Sequence, residues 1–318
     1  MRRIFYFWLS IILISVGVPS LFLIKTGIYK KPLPEEEEKI SVYIKSEDKV
    51  VEMVFSEYLK EVVSAEMPAN FELEALKAQA VAARSYVNSR RNAYKISGTP
   101  IEHKGAEICT DYAHCKAWIS KTDRMNSWGE DAQNNWDKIE KAVTETSGEV
   151  VTYNGEVISA VFHSTSSGKT ESSEDVWGGV REYLVSVDSP GEENAPKFKS
   201  ESSISRDEFI RILSENVEGV DLNESLFGEI KRSDAGGIKE ITLLGQKVKG
   251  TLFRTLFSLN STNIEITEED ENIKFLVKGY GHGVGMSQYG ANAMAKTNKN
   301  YKEILTHYYQ GTEVKKLY

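Results

Sequence analysis

The sequence predicts an α+β chain: an N-terminal transmembrane helix, then a region of mixed helix and antiparallel sheet in one or two lobes. Three observations predict it. Residues 4–24, IFYFWLSIILISVGVPSLFLI, hold no charge, and about 20 apolar residues in a helix span the roughly 30 Å hydrocarbon core of a bilayer. Residues 57–87 carry apolar side chains at helical spacing. After residue 236 the chain breaks into short β-rich runs separated by Gly, Asn and Asp. Helices early and strands late favour α+β over a doubly wound sheet.

Taken in order, residues 1–3 form a short tail before the span at 4–24. No small-residue cleavage site closes the apolar run, so it reads as a retained anchor and not a signal peptide. Tyr6 and Trp8 suit the interface. Arg2 and Arg3 precede the span and Lys25, Lys30 and Lys31 follow it, so charge alone does not orient it. Residues 25–40 carry two prolines and four consecutive glutamates, a solvated extended spacer. The folded part, 41–318, begins near Ser41.

A short helix is expected over 57–65. Pro68 cannot continue it. A second helix starts near Asn70 as N-cap, with Glu72 and Glu74 complementing the dipole and with Leu73, Leu76, Ala80, Ala83 and Val87 as one stripe. Asn154-Gly155 between β-rich runs marks a tight hairpin. Residues 201–218 read as helix, with Phe209, Ile212, Leu213 and Val217 on one face. Strands and loops follow, apart from a helical turn near 254–257, and a helix is expected over 288–295. Residues 190–262 form a candidate sub-lobe.

The chain has 318 residues, 40% hydrophobic and 27% charged, enough for a substantial core. Its net charge of −8 argues against nucleic acid as a partner. No internal repeat is visible. The Gly168-Lys169-Thr170 run is not a phosphate loop, because His163 stands at the upstream glycine position.

Four places can carry chemistry. Glu66 falls at the break between the early helices, between Ala65 and Met67. Desolvation there would raise its pKa and suit a general acid; the plain alternative is a solvated helix-end glutamate. His103, Cys109 and Cys115 hold both cysteines of the chain. An imidazole and two thiolates can bind zinc and leave a fourth position open. A Cys109–Cys115 disulfide is the competing reading. His114 can replace His103 as nitrogen ligand, though adjacency to Cys115 makes chelation by both awkward. His163 and His282, the latter in GYGHGVG, read either as cleft residues or as core histidines with satisfied hydrogen bonds. His163 and Ser164 are poor catalytic partners, since neighbours on a strand face opposite ways. Arg84, on an alanine-rich helix, either pairs with an acidic neighbour or holds a sugar or Glu66.

The segment AEMPANFELEALKAQAVAARSYV resembles the signature of the stage II sporulation protein D family, peptidoglycan lytic transglycosylases of spore-forming bacteria. VFHSTSSGKTESSEDVWGG, EYLVSVDSP and GYGHGVGMSQYGANAMA resemble its later blocks, in the same order, so the likeness runs from about Glu57 to Ala295. The resemblance implies that Glu66 is catalytic and places His163 and His282 in the cleft; Arg84, Lys169 and Gln288 are expected beside them as substrate-binding residues. It implies one zinc on His103, Cys109 and Cys115, as in clostridial-type members; other members lack the cysteines, so the metal is not essential to the chemical step. It further implies cleavage of peptide-stripped glycan strands to 1,6-anhydro-MurNAc ends during engulfment. The expected partners are the amidase stage II sporulation protein P and the membrane protein stage II sporulation protein M. The catalytic region would be extracytoplasmic, anchored in the mother-cell membrane; an inverted anchor is the alternative. Ordinary glycoside hydrolysis needs two carboxylates, and Asp175 and Asp188 are weak candidates for the second. Two other classes stay open: a zinc-dependent cell-wall hydrolase with Glu66 as base, and a non-catalytic wall-binding scaffold.

Overall fold

A computed structural model describes residues 38–317. The expected span at 4–24 and nearly all of the spacer lie outside the described residues. Among the described residues no helix is long and apolar enough to cross a membrane. The first strand among the described residues, β1 (Lys39–Ile44), pairs antiparallel with β2 (Lys49–Val54). Ile40, Val42 and Ile44 alternate into the core, the period of a half-buried strand.

Helix α1 (Phe55–Glu66) follows. It ends where expected, because Met67, the residue before Pro68, is extended at φ −128 and ψ 136. Helix α2 (Leu73–Ser97) starts three residues later than Asn70, with Glu72 as N-cap. No side chain caps it; the Glu72 N–H donates to Asn292 Oδ1 at 2.8 Å. The expected single stripe is too narrow: Ala75, Leu76 and everything from Ala78 to Val87 are buried, as befits a helix packed on all sides. Its alanines let neighbours approach closely. Next come β3 (Ile108–Cys109), α3 (Lys121–Trp128), α4 (Ala132–Glu145), β4 (Glu149–Tyr153) and β5 (Glu156–Val157). The β4–β5 turn is the expected hairpin, with positive φ at both Asn154 (52°) and Gly155 (85°). β6 (Phe162–His163) and α5 (Ser173–Trp177) complete this part.

The chain then builds a second lobe from β7 (Lys199–Ser205), α6 (Arg206–Asn216), β8 (Phe227–Arg232), β9 (Ile238–Leu243), β10 (Gln246–Lys249), α7 (Gly250–Leu256), β11 (Asn263–Glu269) and β12 (Asn272–Lys278). Its core is separate, centred on Phe209, Phe253, Phe257 and Phe275. The expected helix over 201–218 is shorter, since 201–205 belong to β7 and Val217 is already extended. The lobe runs from 199 to 278 instead of 190–262, because β12 pairs with β7 along its whole length. The turn expected at 254–257 is the end of α7.

The chain returns through β13 (Met286–Ser287), α8 (Gln288–Lys296), α9 (Tyr301–Tyr308) and β14 (Glu313–Lys316). β13 lies parallel to β6, and β14 flanks β4. Thus the last helices close around α2, and residues far apart in sequence share one core.

Candidate active site

Glu66 is the last residue of α1, and the extended Met67-Pro68 step frees its side chain from the helix. Its carboxylate accepts the Ala117 N–H at 2.9 Å, and the Gln288 side chain at the start of α8 stands beside it in both grooves, brought from the far end of the chain. Gln288 Nε2 also donates to Gln79 Oε1 on α2 at 3.3 Å. Two grooves of about 670 and 650 Å³ meet here, and both are lined by Glu66, Ser164, Tyr280 and Gln288. Burial raises the Glu66 pKa; Lys116, the Ala117 N–H and Gln288 pull it down but do not win.

His163 and His282 stand together in the second groove, ring centroids 5.7 Å apart. The glycines around His282 are what allow this: at Gly281 (φ 120°) an added Cβ would stand 2.8 Å from the His163 Cβ. His163 Nδ1 lies 3.2 Å from the Val284 carbonyl, so that nitrogen carries the proton. Nε2 is buried without a hydrogen-bond partner, an acceptor for a ligand hydroxyl. Burial pushes His163 down to about 4, and burial together with its His163 neighbour also holds His282 well below the ordinary imidazole range. Both rings are therefore neutral near pH 7.

The other expected residues divide. Arg84 is a correction: it is buried in α2, donating to the Glu149 and Val143 carbonyls at 3.2 and 3.3 Å, and lines neither groove. These two bonds tie α2 to α4 and β4. Lys169 is another: its backbone bridges Asp188, and it too lines neither groove. Asp175 pairs with Lys239 at the second lobe, and neither it nor Asp188 faces Glu66.

Lys116 was missed by sequence reasoning, because an isolated lysine is normally solvated. Here its Nζ lies 3.7 Å from the Phe162 ring centroid and 4.3 Å from that of Tyr86. Burial pushes it down to about 8, against the pull of Glu66. Glu192 was missed as well. It accepts from the hydroxyls of Ser166, Ser189 and Ser287 and from the Ser166 N–H, fixing the loop after β6 against β13.

His103, Cys109, His114 and Cys115 offer donor atoms all within 4.8 Å of one another, and both cysteines are free thiols. The pairs His103 Nε2–His114 Nδ1 (3.1 Å), Cys115 Sγ–His103 Nε2 (3.3 Å) and Cys109 Sγ–His114 Nδ1 (3.5 Å) fit the edges of a zinc tetrahedron, roughly 3.3 Å for N–N and 3.5 Å for N–S from zinc bond lengths. The hydrogen bond from Cys115, helped by His114, brings Cys109 down to about 5, while Cys115 is raised by the same bond and by burial. His114 stands beside the three expected ligands as a fourth donor. Adjacency to Cys115 is no obstacle: a turn at Asp111, whose carbonyl accepts the N–H groups of both His114 and Cys115, leaves both donor atoms at the cluster, with His114 on its exposed side.

The site is thus the seam of a two-lobed α+β protein, with one desolvated glutamate between two grooves. Residues 43–153 match the family model described as Stage II sporulation protein (SpoIID). The chain is 35% identical over 298 residues to Stage II sporulation protein D of Bacillus subtilis (strain 168), covering 91% of this chain and 84% of that one. It is 35% identical over 283 residues to Stage II sporulation protein D of Bacillus amyloliquefaciens, covering 89% and 80%. A more distant match, 27% over 306 residues, is to the Amidase enhancer of Bacillus subtilis (strain 168), covering 80% of this chain and 40% of that protein. The chain belongs to the stage II sporulation protein D family.

Proposed function

We propose that this sporulation-family protein is a peptidoglycan lytic transglycosylase with Glu66 as its catalytic acid and base. The observation that carries the reading is the desolvated Glu66 carboxyl at the junction of two sugar-sized grooves. Asp131, the other carboxylate lining them, is exposed. Protonated Glu66 gives its proton to the glycosidic oxygen between MurNAc and GlcNAc. The C6 hydroxyl of MurNAc attacks C1 as that bond breaks, and the Glu66 carboxylate takes the C6 proton. The ring closes as 1,6-anhydro-MurNAc, the GlcNAc O4 leaves as an alcohol, and no water is consumed. A single carboxylate suffices, unlike the pair that hydrolysis requires.

Around this acid, the Ala117 N–H fixes the carboxylate, Gln288 lines the grooves beside it, and His163 Nε2 offers an acceptor to a sugar hydroxyl. His103, Cys109, His114 and Cys115 would hold a zinc ion, which in a closed tetrahedron of protein ligands supplies structural rigidity. Cys115 lies two residues before Ala117, so the cluster would hold in place the group that orients Glu66. A zinc hydrolase needs an open coordination position, which His114 disfavours. The setting we infer is engulfment at the mother-cell membrane, with 4–24 as anchor, the folded region outside, and stage II sporulation proteins P and M as partners.

Mass analysis of products from peptide-free glycan tests this. The expected product has 1,6-anhydro ends; reducing ends, heavier by one water, would show hydrolysis. Unchanged turnover by Glu66→Gln would favour a scaffold role or another catalytic group.

A further inference from the structure

The groove shared with His163 and His282 has a charge balance unlike the rest of the molecule. The chain is acidic overall, at −8. Yet Arg90, Lys116, Arg181 and Arg254 all line this groove, and Glu66 is the one carboxylate among its described lining residues. Elsewhere basic side chains pair with carboxylates: Lys60, Lys77, Arg91 and Arg211 each contact two. The four groove cations contact none within salt-bridge distance among the described residues. Lys116 is 7% exposed and lies against two rings without a hydrogen bond. Arg90 stacks 5.1 Å from the Tyr86 ring centroid, its Nε buried and unpartnered. Arg254 reaches in from α7 of the second lobe, its Nε donating only to the Leu259 carbonyl at 3.1 Å. Arg181 is exposed at the groove's edge.

Gathering four cations around a single carboxylate, three of them at least partly withdrawn from water, leaves an unfavourable excess of positive charge. The arrangement is stable once a ligand supplies the negative charge, and guanidinium forks match carboxylates in geometry. The other groove is mixed, lined by Arg124 and Lys197 together with Glu66 and Asp131. We propose that the cationic groove is a carboxylate-reading subsite that takes a MurNAc unit by its free lactyl group. This rests on the glycan-cleaving reading above. The lactyl carboxylate is ionised only where the stem peptide has been removed; an amide bond to that peptide abolishes the charge. Arg90, Arg181 and Arg254, with Lys116, would therefore make stripped glycan the preferred substrate.

The test uses the full-length protein in detergent, peptide-free glycan strands, and the same strands with their lactyl carboxylates converted to methylamides. We expect amidation to raise KM about tenfold, the scale of one lost charge-assisted hydrogen bond, with kcat changed less than about threefold. Arg181→Gln and Arg254→Gln should lose that discrimination and its salt dependence, and Arg181→Lys should keep part of it. Because Arg181 is exposed, its replacement leaves folding intact, which circular dichroism checks. Equal KM for free and amidated glycan on the wild-type protein overturns the subsite while leaving Glu66-dependent cleavage standing. Conversely, tighter equilibrium binding of free than amidated glycan, without 1,6-anhydro products, upholds the subsite and removes the lyase reading. Poly(glycerol phosphate) competing as well as the free-acid glycan would overturn the lactyl assignment in favour of general polyanion binding.

Discussion

Acid should unfold this protein partly through His163, and the size of that effect follows from its surroundings. The ring is 4% exposed, its Nδ1 is bound to the Val284 carbonyl, and its Nε2 has no partner with which to stabilise a second proton. Burial moves it from the ordinary 6.5 to about 4. Between those two values the unfolded chain holds a proton that the folded chain excludes, so stability is lost as pH falls through that window. At 1.36 kcal/mol per unit, full protonation of the unfolded reference is worth roughly 3 kcal/mol. His282, depressed in the same direction, adds to the slope. The assay is urea unfolding of the full-length protein in detergent at several pH values from 7 to 4, for wild type and His163→Gln. The substitution has its own constant penalty, so the informative quantity is the difference between the curves. It should shrink by about 3 kcal/mol on acidification, the variant having no proton to exclude. Acid release of a bound metal affects both proteins and cancels. Parallel curves would refute the placement of a neutral, buried imidazole in the groove.

Glu66→Gln should reduce glycan cleavage by on the order of 10²–10⁴ with binding retained, measured by product release and by co-sedimentation with glycan. Because burial raises the Glu66 pKa, wild-type stability falls as pH rises from the ordinary 4.5 through the raised folded value; Glu66→Gln removes that loss, which paired melts above and below the window would detect. Elemental analysis should find one zinc per chain. Its affinity should fall with pH, and Cys115→Ser or a chelator should release it, speed hydrogen exchange at the Ala117 N–H and partly lower activity; absence of metal together with no titratable thiol would point to the disulfide instead. Gly285→Ala should destabilise by about 1–3 kcal/mol in thermal melts, since its φ is 73° and an added Cβ would lie 2.2 Å from the Val161 carbonyl oxygen; an unchanged melting temperature would contradict the tight β6–β13 contact.

What could be read from the sequence was local. Pro68 ends α1 at Glu66 by proline geometry alone, and the Asn154-Gly155 hairpin and α8 follow from turn and helix signals. What could not be read depended on distant partners. The second lobe's edge was misjudged because β12 is assigned to it only by pairing with β7, about 70 residues earlier. Arg84 looked functional because nothing in an alanine-rich helix reveals the Glu149 and Val143 carbonyls waiting on α4 and β4. Lys116 looked ordinary because its burial comes from Phe162 and Tyr86, on other elements. His114 was discounted on adjacency, when a single turn at Asp111 decides where it points.

The second lobe leaves and rejoins the main body at neighbouring points. Lys199 pairs with Lys278, and the Gly279 N–H donates to the Phe198 carbonyl at 2.8 Å. Its ends already touch, so excising 199–278 and joining the stumps by a short turn would close no long gap. The shortened chain would keep Glu66, Ala117, His163, His282 and Gln288, and would lose Arg254 from the groove wall. That makes the lobe a cassette: a part that a lineage can lengthen, trim or exchange to alter what the groove grips, while the machinery around the acid is inherited unchanged.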